Sequence, residues 1–259
     1  MKRSISLIVL AVLVFCPALS LNQQNSDAYA AQKPTLNVLF IGNSYTFYND
    51  FPTLLEKLVN SSSESPVRLH IEAVTQGGAD FADHWEQGRA LKAINQRKDW
   101  HYVVLQNQSN WASHPDFRKN ALIYAHKFNQ AITAAGAVPL VFITWPKEPG
   151  STSYSQFPYL KNFGTSYASL NHYSEKLARD IGGDTVPVNT YWTAALKSAG
   201  NVGLYHPDGS HPSPAGSYLC ALVFYKYFTG KPLENAQFVP QNVNPSEAYL
   251  LQKIVATSF

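Results

Sequence analysis

Cysteine is nearly missing from this chain, with Cys16 and Cys220 the only two among 259 residues. Cys16 falls in an N-terminal apolar segment, which leaves Cys220 alone in the remainder. One thiol cannot form an internal disulfide, so stability has to come from an apolar core. Cys220 stands in the apolar run Tyr218–Phe224 and reads as a buried small hydrophobe. Charge is scarce as well: Asp, Glu, Lys and Arg make up 14% of the residues, with 20 basic against 17 acidic. No basic stripe is present that could follow a phosphate backbone, which argues against a nucleic-acid partner. No pair of histidines has the H-x-x-x-H spacing of a zinc helix, and Gly77-Gly78 lacks the third glycine of a dinucleotide fingerprint. The strand-turn-helix elbow G-x-S-x-G is missing too, because Thr46 stands where its second glycine would be. The sequence thus shows neither a zinc helix nor a dinucleotide site. His84, His101, His114, His172 and His206 read as surface or core histidines.

Residues 1–30 have a basic start, an apolar core and small residues after it, the pattern of a secretory signal peptide. The apolar core is too short for a comfortable membrane span, so no stable membrane insertion of the mature chain is expected. Cleavage fits after Ala18-Leu19-Ser20 or after Ala28-Tyr29-Ala30, the second having the A-x-A form. Phe15 before Cys16 argues against a lipid anchor, which wants a small residue there. The mature chain is expected in the periplasm or outside the cell. Polar, Ala/Gln-rich residues 21–34 follow as a tether.

Residues 31–259 read as one α/β domain, without internal repeat or linker. Val38-Leu39-Phe40-Ile41 is a continuous apolar run, as expected of a strand buried on both faces of a parallel sheet. Gly42-Asn43 ends it with turn chemistry, and a helix from about Phe51 to Asn60 follows. Further strands are expected at Val67–Val74, His101–Gln106, Val138–Thr144 and Val186–Val188. An amphipathic stretch spans about Ala79–Arg97, and helices are expected near Asp116–Ala135, Ser166–Ile181, Thr190–Ala199, Pro214–Phe228 and Ser246–Thr257. Lys147–Phe163 reads as a long loop. This alternation predicts a three-layer α/β/α sandwich around a mostly parallel five-stranded sheet.

In such a sheet the turns after successive strands converge on one edge, where open α/β folds bind ligands. Three of these turns are polar or glycine-rich: the one at Ser44, the one at Gly77-Gly78, and Asn107–Asn110. Far along the chain stands Asp208-Gly209-Ser210-His211, just before a helix. That spacing lets the carboxylate fold back onto the imidazole Nδ1 and leave Nε2 free to take a proton. A serine, a histidine oriented by a carboxylate, and donors for a developing oxyanion are the parts that acyl transfer requires. Taken singly, Ser44 could cap a turn and Asp208 could cap a helix.

In order and character these blocks resemble those of the SGNH/GDSL hydrolases, secreted or intracellular esterases on a flavodoxin-like sandwich. Gly42-Asn43-Ser44 stands for the family's G-D-S, and Asp208-Gly209-Ser210-His211 satisfies its D-x-x-H. The resemblance implies an ester hydrolase without metal or cofactor, with Ser44 as nucleophile, His211 as base and Asp208 as its partner. It also implies an oxyanion hole made by the Ser44 N–H, a glycine N–H from Gly78 or Gly77, and an asparagine side chain. The third block departs from the family's G-x-N-D. Counting from the strand through Leu105-Gln106-Asn107-Gln108-Ser109-Asn110-Trp111 puts Gln108 at the glycine and Asn110 at the asparagine, with Asn107 the alternative if the turn is tighter. The L-Q-x-Q-S run, G-G-A-x-x-x-x-H-W before it and T-W after the fourth strand resemble a divergent bacterial SGNH-like subgroup. Trp111 and Trp145 follow strands at the same edge and are candidates to line the substrate cleft.

The expectation is a secreted serine esterase acting on small acyl esters, with O-acetyl groups on carbohydrate as the target. Longer acyl chains, as in a lysophospholipase or thioesterase, are the alternative enzyme reading. A glycan-binding protein without turnover is the alternative outside enzymes, motivated by the departing third block.

Overall fold

The computed structural model describes residues 33–198, 202–234 and 236–258. The expected signal peptide and nearly all of the polar tether lie outside the described residues. The first strand, β1 (Thr35–Gly42), is flanked in parallel by β2 (Arg68–Thr75) on one side and β3 (Tyr102–Leu105) on the other. Beyond β3 lie β4 (Val138–Phe142) and β5 (Asp184–Val186), giving the order β2-β1-β3-β4-β5 with every pairing parallel.

Side chains of β1 alternate between two cores, as the period of two in a strand requires. Val38 and Phe40 enter one core with Phe51, Leu55 and Phe224, while Leu39 and Ile41 enter the other with Phe81, Phe128 and Ile132. All four are fully buried, and such a side chain contributes about 1.5–3 kcal/mol by leaving water. The first core is covered by α2 (Phe51–Ser61), α8 (Val188–Lys197), α9 (Pro214–Thr229) and α10 (Pro245–Thr257). The second is covered by α3 (Phe81–Glu86), α4 (Arg89–Gln96), α5 (Pro115–Ala134) and α7 (Phe163–Asp180). α9 is apolar almost all round because it is buried almost all round. It holds Cys220, whose thiol burial pushes well above its ordinary pKa.

Three segments differ from the sequence expectation, the fifth strand among them: β5 ends at Val186, Pro187 precedes the helix and Val188 begins α8. The amphipathic stretch is broken at Gly88, whose left-handed φ of 71° ends α3 and starts α4. The expected loop after β4 holds a short helix, α6 (Ser153–Gln156), and a 3₁₀ turn at Pro158–Leu160. No helix among the described residues is long and apolar enough to cross a membrane.

The chain leaves β1 toward β2 on one side and returns to β3 on the other. The strand order therefore reverses between β1 and β3, and a crevice opens outside their carboxyl ends.

Candidate active site

Ser44 begins α1 (Ser44–Phe47), two residues beyond the end of β1. Asn43 caps this helix by accepting from the Tyr45 N–H, and its amide donates to the Ala79 carbonyl at 2.9 Å. The turn is held from β3 by Gln106, which is fully buried. Gln106 Oε1 accepts from the Asn43 N–H at 2.8 Å and from the Thr46 hydroxyl at 2.9 Å. The approach is so close that a Cβ on Gly42 would come within 2.4 Å of Thr46 Oγ1 and 2.6 Å of Gln106 Oε1, so only glycine fits here. From the other side His84 Nε2 donates to the Gly42 carbonyl at 2.9 Å. Burial lowers the His84 pKa, against the raising effect of that hydrogen bond, and keeps the ring neutral. After α1, Asn49 and Asp50 adopt positive φ of 52°. Asn49 is held there by its amide, which donates to the Pro212 carbonyl at 3.0 Å and to Ser217 Oγ at 2.9 Å, tying the serine segment to the histidine loop.

The loop carrying Asp208 and His211 is closed on itself. The His206 N–H donates to the His211 carbonyl, the Gly209 N–H to the His206 carbonyl, and Tyr205 bridges Pro212. Gly209 makes the turn with φ of 66°. Asp208 Oδ1 accepts the backbone N–H groups of Ser210 and His211 at 2.8 and 2.9 Å, leaving Oδ2 for the His211 ring, 2.6 Å from Nδ1. Partial burial pushes the Asp208 carboxyl up. The hydrogen bonds from the His211 ring and the two N–H groups outweigh it and hold the pKa down to about 2. A carboxylate can only accept, so Nδ1 carries the proton, and in the neutral ring Nε2 is an acceptor. Ser44 Oγ lies 2.8 Å from that Nε2. Tyr48 stacks flat on the His211 ring at 4.3 Å and meets the His206 ring edge-on.

Ser44 and His211 open on a cleft of roughly 400 Å³. Gly77 and Gly78, Gln108 and Ser109, and Asn43, Tyr45, Lys147 and Ser210 also line it. Gly78 has φ of 72°, which suits a residue without Cβ. Asn110 does not line this cleft. The turn closed by the Trp111 N–H on the Gln108 carbonyl carries Asn110 into a neighbouring depression, which it shares with Asn107, Trp111, Phe117, Phe157 and Tyr159. Gly78 and Gln108 border both spaces. Asn107 Oδ1 accepts from the Phe81 and Gln108 N–H groups. Gln108 Oε1 accepts from the Asn110 N–H at 2.6 Å, which orients the amide and leaves Nε2 as its remaining donor.

Trp145 corrects the expectation of a cleft-lining side chain. It is fully buried, stacked 3.9 Å from Trp192 on one face and 4.8 Å from Tyr45 on the other. Its indole N–H donates to the Ser210 carbonyl at 3.0 Å, so Trp145 supports the histidine loop from beneath. Trp111 is 7% exposed and borders the neighbouring depression. Gln106, Tyr48 and Lys147 join the site through partners distant along the chain, and His206 through its place in the histidine loop and the Tyr48 ring, so sequence alone does not mark them as site residues. For Gln106 the signal available was a polar residue directly after a buried strand.

No family model matches the chain, and no curated protein matches it. Among solved structures, the fold is similar to that of a DUF4886 family protein from Bacteroides uniformis, with a TM-score of 0.72 and 20% identity over 85% of this chain and 93% of that one. It is similar to a protein from Slackia heliotrinireducens described as "a putative SGNH hydrolase", with a TM-score of 0.59 and 28% identity over 74% of this chain and 98% of that one. It is also similar to Axe2, an acetylxylan esterase from Geobacillus stearothermophilus, with a TM-score of 0.56 and 14% identity over 76% and 96%.

Proposed function

We propose that this chain, whose fold is that of the SGNH-like superfamily, is a serine esterase with Ser44 as nucleophile. The observation that carries the reading is the continuous hydrogen-bonded run from Ser44 Oγ through His211 to Asp208, at 2.8 and 2.6 Å, beside an open cleft. His211 Nε2 takes the hydroxyl proton as Ser44 Oγ attacks the ester carbonyl carbon. Asp208 keeps the ring in the right tautomer and stabilises the imidazolium. The oxyanion is received by the N–H groups of Ser44 and Gly78 and, in place of Asn110, by the Gln108 amide. Imidazolium then protonates the departing alkoxide, and water, activated by the same ring, releases the acid.

For the substrate, we favour short acyl groups, O-acetyl above all, on a carbohydrate. Phe117 and Phe157, both about two-fifths exposed, stand with Tyr159 around the depression that meets the cleft at Gly78 and Gln108. Exposed rings next to a polar reaction centre suit the apolar faces of sugar rings. Axe2, an acetylxylan esterase, is of similar fold. Secretion remains part of the reading on the sequence of residues 1–30 alone.

The test is hydrolysis of p-nitrophenyl acetate, butyrate and octanoate by the purified protein, Ser44→Ala and His211→Ala. Turnover that both substitutions remove and that falls with acyl length is expected. A preference for octanoate would move the reading to longer-chain lipids or thioesters, and turnover surviving Ser44→Ala would overturn it.

A further inference from the structure

The proposed hydrolytic groups leave one charged side chain of the same cleft without a task. Lys147 follows β4 by five residues, and its ammonium donates to Tyr45 Oη at 3.0 Å, Ser109 Oγ at 3.1 Å and Ser210 Oγ at 2.6 Å. Its backbone is clamped on both sides. The Tyr205 hydroxyl donates to the Pro146 carbonyl at 3.0 Å, the Tyr154 hydroxyl to the Lys147 carbonyl at 2.7 Å, and the Glu148 N–H to the Gly209 carbonyl at 2.8 Å. Beneath the ammonium, Tyr45 rests on the buried Trp145–Trp192 stack. A lysine side chain is among the costliest to immobilise. Here it is fixed beside a nucleophile rather than left in solvent.

None of the ion pairs among the described residues involves Lys147, so its charge faces the cleft uncompensated by a carboxylate. All three of its hydrogens go to hydroxyl oxygens. Each hydroxyl that accepts from the cation must turn its own hydrogen elsewhere. Tyr45 Oη and Ser210 Oγ are 2.8 Å apart, so one donates to the other and a single O–H of that pair is left over. A cation backed by a spare O–H donor, in a cleft also lined by Ser44 and His211, matches an anionic oxygen.

Building on the esterase reading, we propose that Lys147, with Ser210 and Tyr45, is a specificity subsite that holds a carboxylate carried by the ester substrate. One unit of positive charge on a point-like ammonium suits a monoanion. The carboxylate can sit on the sugar, as in a uronic-acid residue, or on the acyl group, as in a hemiester of a dicarboxylic acid.

The experiment begins with p-nitrophenyl acetate. Turnover removed by Ser44→Ala keeps the esterase reading; its absence sinks that reading alone, because the binding arm below needs no turnover. Next, kcat/KM is measured for two matched pairs, each a charged and a neutral ester. p-Nitrophenyl hemisuccinate against p-nitrophenyl butyrate puts the carboxylate on the acyl side. Acetylated oligogalacturonate against acetylated xylo-oligosaccharide puts it on the sugar side. In at least one pair the charged-to-neutral ratio is expected to fall about 10-fold in Lys147→Met, and to fall in the parent as salt rises. Which pair responds identifies the source of the carboxylate. Lys147→Arg should retain part of the ratio. Loss of rate in Lys147→Met with both ratios unchanged means the lysine only braces the loop, and overturns the proposal. Should Lys147→Met not fold, calorimetry on Ser44→Ala decides. Salt-sensitive binding of succinate or trigalacturonate, against none of butyrate or xylotriose, supports the subsite, and no difference within either pair overturns it.

Discussion

Replacing Gln106 by leucine tests how the strand end positions the nucleophile. The side chain is fully buried, and its Oε1 is the acceptor for the Asn43 N–H and the Thr46 hydroxyl at 2.8 and 2.9 Å. Leucine fills similar volume and accepts nothing, so both donors are stranded in a buried site. A buried donor left unpaired costs about 1–3 kcal/mol, so the two together should destabilise the protein by about 4 kcal/mol. For a domain of this size that corresponds to a thermal midpoint lower by about 8–16 °C. Asn43 caps the turn that presents Ser44, so residual folded protein should also lose activity on p-nitrophenyl acetate, about 10²-fold for a misplacement near 1 Å. Adding Thr46→Val removes one of the stranded groups, so the double variant should be more stable than the sum of the single losses predicts. Calorimetric melting of the four proteins, alongside kcat, makes the check. A Gln106→Leu protein within about 1 kcal/mol of the parent, or strict additivity with Thr46→Val, would refute the reasoning.

Asp208→Asn keeps an oxygen for the Ser210 and His211 N–H groups, so the loop should hold its shape. The amide cannot accept from His211 Nδ1–H, so kcat should fall about 10⁴-fold and the melting temperature should drop at neutral pH, where the carboxylate's stabilisation is fully present. The same carboxylate gives an acid signature. Its folded pKa, about 2, lies below the ordinary 3.8, so its stabilisation is complete above 3.8 and is lost as pH falls toward 2. The melting difference between parent and Asp208→Asn should therefore shrink over that window, and a constant difference would argue against those hydrogen bonds to the carboxylate. His84 sets a milder limit at higher pH. Its folded pKa lies below 6.5, so the unfolded chain binds the proton first and stability declines as pH drops below 6.5. His84→Gln, which can still donate to the Gly42 carbonyl, should flatten that decline; an unchanged pH profile of melting would assign it elsewhere.

The fold was legible because buried parallel strands write continuous apolar runs, and Val38–Ile41, Val103–Leu105 and Leu140–Phe142 all do so. The break at Gly88 is not legible in the amphipathic stretch, since an isolated glycine is compatible with a helix and only its positive φ reveals the cap. Trp145 misled for a physical reason: an aromatic residue after a strand can roof a cleft or floor it, and periodicity does not distinguish the two. Its stacking partners, Tyr45 and Trp192, come from distant parts of the chain. In the third block, counting along the strand could not foresee a turn that leaves Gln108 in the cleft and carries Asn110 past it. Lys147 was invisible for the same reason, since its three hydroxyl partners lie 38, 63 and 102 residues away.

The most direct test of Ser44 as nucleophile is active-site labelling. The protein is treated with a fluorophosphonate, and the adduct is located by intact mass and peptide mapping. One adduct per chain is expected, on the peptide containing Ser44, absent from Ser44→Ala and strongly slowed in His211→Ala. No adduct, or one on another residue, would contradict the assignment.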